Sequence, residues 1–226
     1  MENTVELLGY YGSDEIIACS AWTSTSRDLS EEKKERIPKL IQMLAKEGHH
    51  TPFEKGVLHF LVNTDVSTHI HLLKHRIASI NAESARYKEL KEDKYYIPED
   101  WKAYKCLDHE DLCYFGHNIC IGGEFWTDIL EVYTKLGNDL YHRCLDDLQG
   151  PLGRKRAKES SRFFKTYNSQ LQADVMFNWR SFVNFQHLRN SEHAQKEIRE
   201  VAEKMLQLVK EIHGNPFEHT LKAFNL

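Results

Sequence analysis

The sequence predicts a helix-rich α+β fold, and three observations predict it. Apolar residues recur at three- and four-residue spacing over most of the chain. Only two short runs, "GVLHFLVN" from Gly56 and "LQADVMFN" from Leu171, read as strands. These runs are too scattered for a regular βαβ repeat. At 226 residues the chain fits one domain, 1–226, long enough to bury a real core.

Each element has its own signals. Ser30–Gly48 reads as a helix that Ser30 caps, with Glu31 and Glu32 in its first turn and Gly48 closing it. Pro38 predicts a kink there or a later start. After the first strand run, Val66–Arg76 is predicted helical, with Ile70, Leu73 and Ile77 in register and a loop following. Gly122–Leu148 carries a long helical pattern through Ile129, Tyr133, Leu136, Leu140 and Cys144, and "GPLG" breaks it. A further helix is expected over 154–164. The second strand run ends at Asn178, where the period turns helical through Phe182, Phe185 and Leu188. The last helix is expected from Ser191 as N-cap, burying Ala194, Ile198, Val201, Met205 and Val209 and stopping at Gly214.

Composition excludes several classes. The chain is 41% hydrophobic and 28% charged, with no apolar run of membrane-spanning length. The N-terminus lacks the basic and apolar regions of a signal peptide, so the expected location is cytoplasmic. Five cysteines without a CxxC pair argue against a disulfide framework or a structural zinc site, and no HExxH occurs among thirteen histidines. A net charge of −4 argues against nucleic acid as a partner. A local basic patch on such a chain suits a small anionic ligand.

Two polar clusters carry the chemistry. The first is "KHRIASINAESARY", Lys74–Tyr87. Its guanidinium and ammonium groups are those that hold phosphate, and Ser79, Asn81 and Ser84 can orient a sugar or base. A solvated basic loop is the bland alternative that composition favours. Against it, the serines and asparagine fall between the cations rather than beside acidic partners. The second cluster is "NWRSFVNFQHLRNSEHAQKEIR", Asn178–Arg199. Arg180 and Asn184 share a helix face, and Arg189 falls at a helix end where the dipole favours a cation. Exposed positions of an amphipathic helix would look the same.

Together the clusters are more specific than either alone. Lys74-His75-Arg76, then seven intervening residues, then Ser84, resembles the Arg-His-Arg…Ser signature of flavin-dependent thymidylate synthases. The second cluster resembles that family's C-terminal segment, and "HHTPFEKGVLHF" from His49 is similar to its N-terminal block. The resemblance covers roughly 49–199. The segment 101–122 matches nothing in it and reads as an insertion.

The resemblance implies a helix-rich single domain around a small, mostly antiparallel sheet, and a homotetramer with flavin sites where subunits meet. It implies thymidylate made from dUMP, with methylenetetrahydrofolate as carbon donor and FAD, reduced by NADPH, carrying hydride. No protein cysteine attacks the substrate in this family. Carried over by position, Thr51, Lys74, His75, Arg76, Glu83, Asn178, Trp179, Arg180 and Asn184 would touch FAD. His71, Lys74, Ala82, Glu83, Ser84, Ala85, Arg86, Arg162 and Arg189 would touch the nucleotide. Arg86 and Arg162 would hold its phosphate, and Arg189 would polarise the uracil.

Three departures bear on substrate and activity. The first arginine of the signature is Lys74, which keeps the charge and loses the bidentate fork. The family glutamate after the loop asparagine is Ala82, with Glu83 one position later, and a Leu-Pro after Arg162 is replaced by "FFKT". The leading expectation is therefore a thymidylate synthase. The alternatives are a paralogue methylating another pyrimidine nucleotide such as UMP, or a catalytically idle nucleotide-binding homologue.

Overall fold

The computed structural model describes residues 1–25, 29–106 and 124–226. Most of the expected insertion, and with it Cys113 and Cys120, lies outside the described residues. Those described divide into two compact units. One comprises 1–2, 64–67, 83–106 and 124–171, and the other 3–63, 68–82 and 172–226. The helix-rich α+β class is borne out.

The second unit is built on a four-stranded sheet in the order β1-β2-β4-β3. Strand β1 (Thr4–Tyr11) runs antiparallel to β2 (Val57–Asp65), and β3 (Ala78–Ala82) antiparallel to β4 (Gln170–Asn178). Alternation along β2 and β4 sends Leu58, Phe60, Val62, Val175 and Phe177 into the core. There Phe60 stacks on Phe182, and Phe177 packs on Phe185, both from α5 (Trp179–Arg189). Helix α6 (Lys196–Lys210) adds Ile198, Val201, Met205 and Val209 at helical spacing. Trp179 is fully buried. A Cβ on Gly56 would stand 2.5 Å from its ring, so only glycine lets β2 start there.

Helices α1 (Asp14–Trp22), α2 (Glu31–Lys46) and α7 (Glu218–Ala223) complete this unit. Ser30 caps α2 as expected, its hydroxyl accepting from Lys33 N at 3.4 Å. Pro38 is inside α2, which starts on time at Glu31. Asp14 joins the unit's far ends. Its buried carboxylate accepts from His219 N (2.7 Å), Thr220 N (3.1 Å) and Thr220 Oγ1 (2.6 Å), and so caps α7 from another helix.

Several expectations are corrected here. Helix α3 (Val66–Leu73) ends three residues before Arg76. Lys74 N and His75 N bond the carbonyls of His71 and Leu72, three residues back, which tightens the helix end into a turn. Its core face is Thr68, His69 and Leu72, while Ile70 and Leu73 stay exposed. The expected loop beyond it contains β3, whose five residues are too short to show a period. Helix α6 begins at Lys196 with Gln195 at the cap, because 190–195 form turns after α5 and Ala194 N bonds Ser191 O. Ser191 caps nothing, and β1, α1 and α7 were not anticipated.

The first unit centres on α4 (Trp126–Ser161). "GPLG" breaks it as expected, with Gly153 at φ 76° inside an otherwise helical run. Tyr141, Leu145 and Ala157 form its core with Leu90 and Leu148. A 3-10 turn, Arg162–Phe164, follows α4 and folds against it. A Cβ on Gly137 would stand 2.6 Å from the Phe164 carbonyl oxygen. Gly137→Ala must therefore push that backbone away, at a cost of about 1–3 kcal/mol. The expected outcome is a lower melting temperature. Unchanged melting would show that the turn yields freely. No described helix is long and apolar enough to cross a membrane.

Candidate functional site

The turn between α3 and β3 faces the exposed side of α5 in the second unit. His75 N bonds Leu72 O at 3.0 Å, and Ala78 N bonds His75 O at 3.1 Å. This double turn buries His75 and leaves Lys74 and Arg76 exposed. On α5, Phe182 and Phe185 point to the core, so Arg180, Asn184, His187 and Leu188 point away. Between them lies a cavity of about 640 Å³.

Its lining joins residues more than a hundred positions apart in sequence: Lys74, His75 and Arg76 with Arg180, Asn184 and Arg189. Glu54 is the one carboxylate among the lining residues, and its Oε1 accepts from Arg180 Nη1 at 2.7 Å. Among the described residues, Lys74, Arg76 and Arg189 have no acidic partner. A cavity with four cations and one carboxylate, on a chain of net charge −4, selects an anion. Ile77, Val183, Leu188 and Phe224 give it apolar wall as well.

Arg189 is held from behind: its Nε donates to His75 Nε2 at 3.0 Å. Burial, then the charge of Arg189 and of His71, pushes His75 down to about 4, so its imidazole is neutral at pH 7. The expected site residues outside the lining have other duties. Asn178 caps α5, its Oδ1 accepting from Ser181 N at 2.9 Å. Trp179 is fully buried, with its side chain in the core and its N–H donating to Gly56 O at 3.0 Å, so it offers no surface to a ligand, against expectation. Thr51 is exposed at the start of a 3-10 turn, Thr51–Lys55, and His71 is half-buried on α3. Reading by residue type missed His50, Glu54, His187 and Phe224. The first two flank Thr51 in the quoted N-terminal block, one residue before it and three after, and His187 stands three residues beyond Asn184 on one helix face.

The remaining expected contacts lie in the first unit, except Ala82, which ends β3 opposite Ala173. Tyr87 N and Lys88 N both bond Ser84 O at 3.0 Å, so Ser84–Lys88 is a tight turn. Glu83 accepts from Lys88 Nζ at 2.6 Å, and Arg86 Nε donates to Glu159 at 2.9 Å. That leaves Arg86 its terminal nitrogens. Arg162 is exposed on the turn after α4. Where the Leu-Pro was expected, Lys165 reaches back to Asp93 and Asn138 and lies over the Tyr141 ring, 4.5 Å from its centroid. The replacement is therefore a buried cation that ties segment 83–94 to α4.

Fold and lining define a helix-rich α+β frame with a cation-rich cavity. The model of the family described as thymidylate synthase complementing protein matches residues 6–216. The chain is 32% identical over 209 residues to the flavin-dependent thymidylate synthase of Pseudothermotoga lettingae, covering 92% of this chain and 85% of that one. It is 29% identical to the flavin-dependent thymidylate synthase of Gluconobacter oxydans, covering 91% of this chain and 66% of the relative. Among solved structures it is similar to PolB from Streptomyces cacaoi, a UMP/dUMP methylase bound with 5-Br dUMP. The TM-score is 0.75 at 26% identity, over 99% of this chain and 95% of PolB. The chain belongs to the family of flavin-dependent thymidylate synthases, as its motifs indicated.

Proposed function

We propose that the protein is a flavin-dependent thymidylate synthase that reductively methylates dUMP to dTMP. Methylenetetrahydrofolate supplies the carbon and NADPH the electrons. The observation that carries the reading is the single cavity into which two remote sequence clusters converge, with cations in excess. Its size and its mixture of cations and apolar wall fit FAD, whose isoalloxazine needs a flat apolar contact and whose diphosphate needs guanidinium and ammonium groups. Lys74, His75, Arg76, Arg180 and Asn184 would hold it, with Thr51 and Asn178 as further contacts. FAD, when bound, supplies the hydride that completes the methyl group.

The chain's own groups bind and polarise the nucleotide. The family resemblance assigns to it Glu83, Ser84, Ala85, Arg86 and Arg162 in the first unit, with Arg86 and Arg162 for the phosphate, and His71, Lys74 and Ala82 in the second. Arg189 stabilises negative charge on the uracil, which enriches electron density at C5, and a guanidinium does so without losing its own proton. A homotetramer and a cytoplasmic location belong to the same proposal.

UMP is the second reading. Its support is the likeness to PolB, also solved with 5-Br UMP, and Lys74 and Ala82 at two family positions. The test is the visible spectrum of the purified protein titrated with dUMP and then UMP, followed by product analysis with the folate donor and NADPH. Flavin bands perturbed by dUMP, with thymidylate formed, support the synthase. An equal or better response to UMP favours the paralogue, and protein that takes up no FAD rejects both. In that assay Lys74→Arg is expected to keep or tighten nucleotide binding by restoring the fork. A large loss would mean that the pocket is built around lysine.

A further inference from the structure

We infer that His75 is a positioning residue for Arg189, holding the guanidinium by its Nε so that its terminal nitrogens face the nucleotide ring. The inference rests on the role of Arg189 proposed above and deepens it.

The direction of the hydrogen bond is forced. A guanidinium has no acceptor and keeps its proton, so in the 3.0 Å contact Arg189 Nε donates and His75 Nε2 carries the lone pair. The imidazole proton then sits on Nδ1. His75 is held to this task from three sides. Its backbone is fixed by the bonds to Leu72 and Ala78. Its ring meets Phe185 edge to face, with centroids 5.0 Å apart. Phe185 and Arg189 are four apart on α5, so one helix face presents both the packing surface and the donor.

The choice of acceptor has a chemical reason. A carboxylate would orient Arg189 equally well, but it would cancel the charge that the uracil requires. A neutral imidazole fixes the geometry and leaves the full positive charge to the ligand. No acidic side chain pairs with Arg189 among the described residues, and the lining around it (Lys74, Arg76, Arg180) is cationic.

The test is a double-mutant cycle read by dUMP affinity from the flavin spectrum, alongside turnover, melting temperature and flavin content. His75→Ala is expected to weaken dUMP binding and turnover about tenfold to a hundredfold. His75→Gln, whose amide oxygen can reach the place of Nε2, should recover most of this. In the Arg189→Ala background, His75→Ala should change affinity by less than about twofold. Equal losses in both backgrounds, or a glutamine variant as poor as alanine with flavin and melting intact, would overturn the inference. Nitrogen NMR of the unsubstituted protein at pH 7 decides the matter even where a variant fails to fold. It should place the proton on Nδ1, and a proton on Nε2 ends the proposal. Wild-type flavin bands that answer to neither dUMP nor UMP reject the proposed function itself, whereas an additive cycle in a responsive protein rejects only the role of His75.

Discussion

Alanine at position 189 is expected to abolish methylation while FAD stays bound. Arg189 is half-buried at the end of α5 and has no acidic partner among the described residues, so its charge is committed to the cavity. Removing a fixed donor aimed at developing negative charge costs about 10²–10³ in kcat. Lys74, Arg76 and Arg180 still line the cavity in the variant, so the flavin spectrum should persist. Arg189→Lys should fall between the two, because ammonium keeps the charge but cannot both bond His75 Nε2 and present a planar pair. Single-turnover methylation measured beside the bound-flavin spectrum checks the split. Full activity in Arg189→Ala would remove the assigned role, and parallel loss of flavin would move Arg189 to cofactor binding.

Acid should destabilise the protein in a window set by His75. Its pKa is lowered to about 4, first by burial and then by Arg189 and His71. Below 6.5 the unfolded chain takes up a proton that the folded chain refuses, so stability is complete above that pH and declines as pH falls. The decline levels off once the folded imidazole also protonates. The gap between about 4 folded and 6.5 unfolded is worth roughly 3 kcal/mol. His69, lowered by burial, acts with the same sign. Carboxylates held down by partners, such as Glu159 by Arg86, lose their contribution only below 4.5, and Asp14, raised by burial, acts with the opposite sign. Urea unfolding of the wild type should therefore lose stability between pH 6.5 and 4, and His75→Gln should flatten much of that slope. An unchanged slope in the variant would assign it elsewhere.

The parts of the fold visible in sequence were those where burial follows polarity. β2, β4 and the buried face of α6 are apolar where they touch the core, and their periods could be read directly. Helix α4 shows the opposite case. Its buried stripe passes through Thr134, Gly137, Asn138, Tyr141 and Leu145, not through the apolar series from Tyr133 to Cys144. Thr134 Oγ1 donates to Leu130 O at 2.7 Å, and Asn138 Oδ1 accepts from Lys165 at 2.8 Å, so these polar groups are satisfied inside. Hydropathy has no access to such pairing. The candidate site was legible as two motifs, because charge and spacing survive in one dimension. The hydrogen bond from Arg189 to His75 was not, since it joins residues 114 apart.

The buckle formed by Asp14 and α7 has a consequence for how this pocket can change. Phe224 directly follows α7 and lines the cavity, and its carbonyl is also within 3.2 Å of His187 Nε2. The carboxylate of Asp14 fastens that helix through its backbone amides and Thr220. A wall of the ligand site therefore hangs from a residue near the opposite end of the chain. A selection for altered flavin affinity should return substitutions at positions 14 and 220, which reshape the cavity while every side chain lining it stays the same.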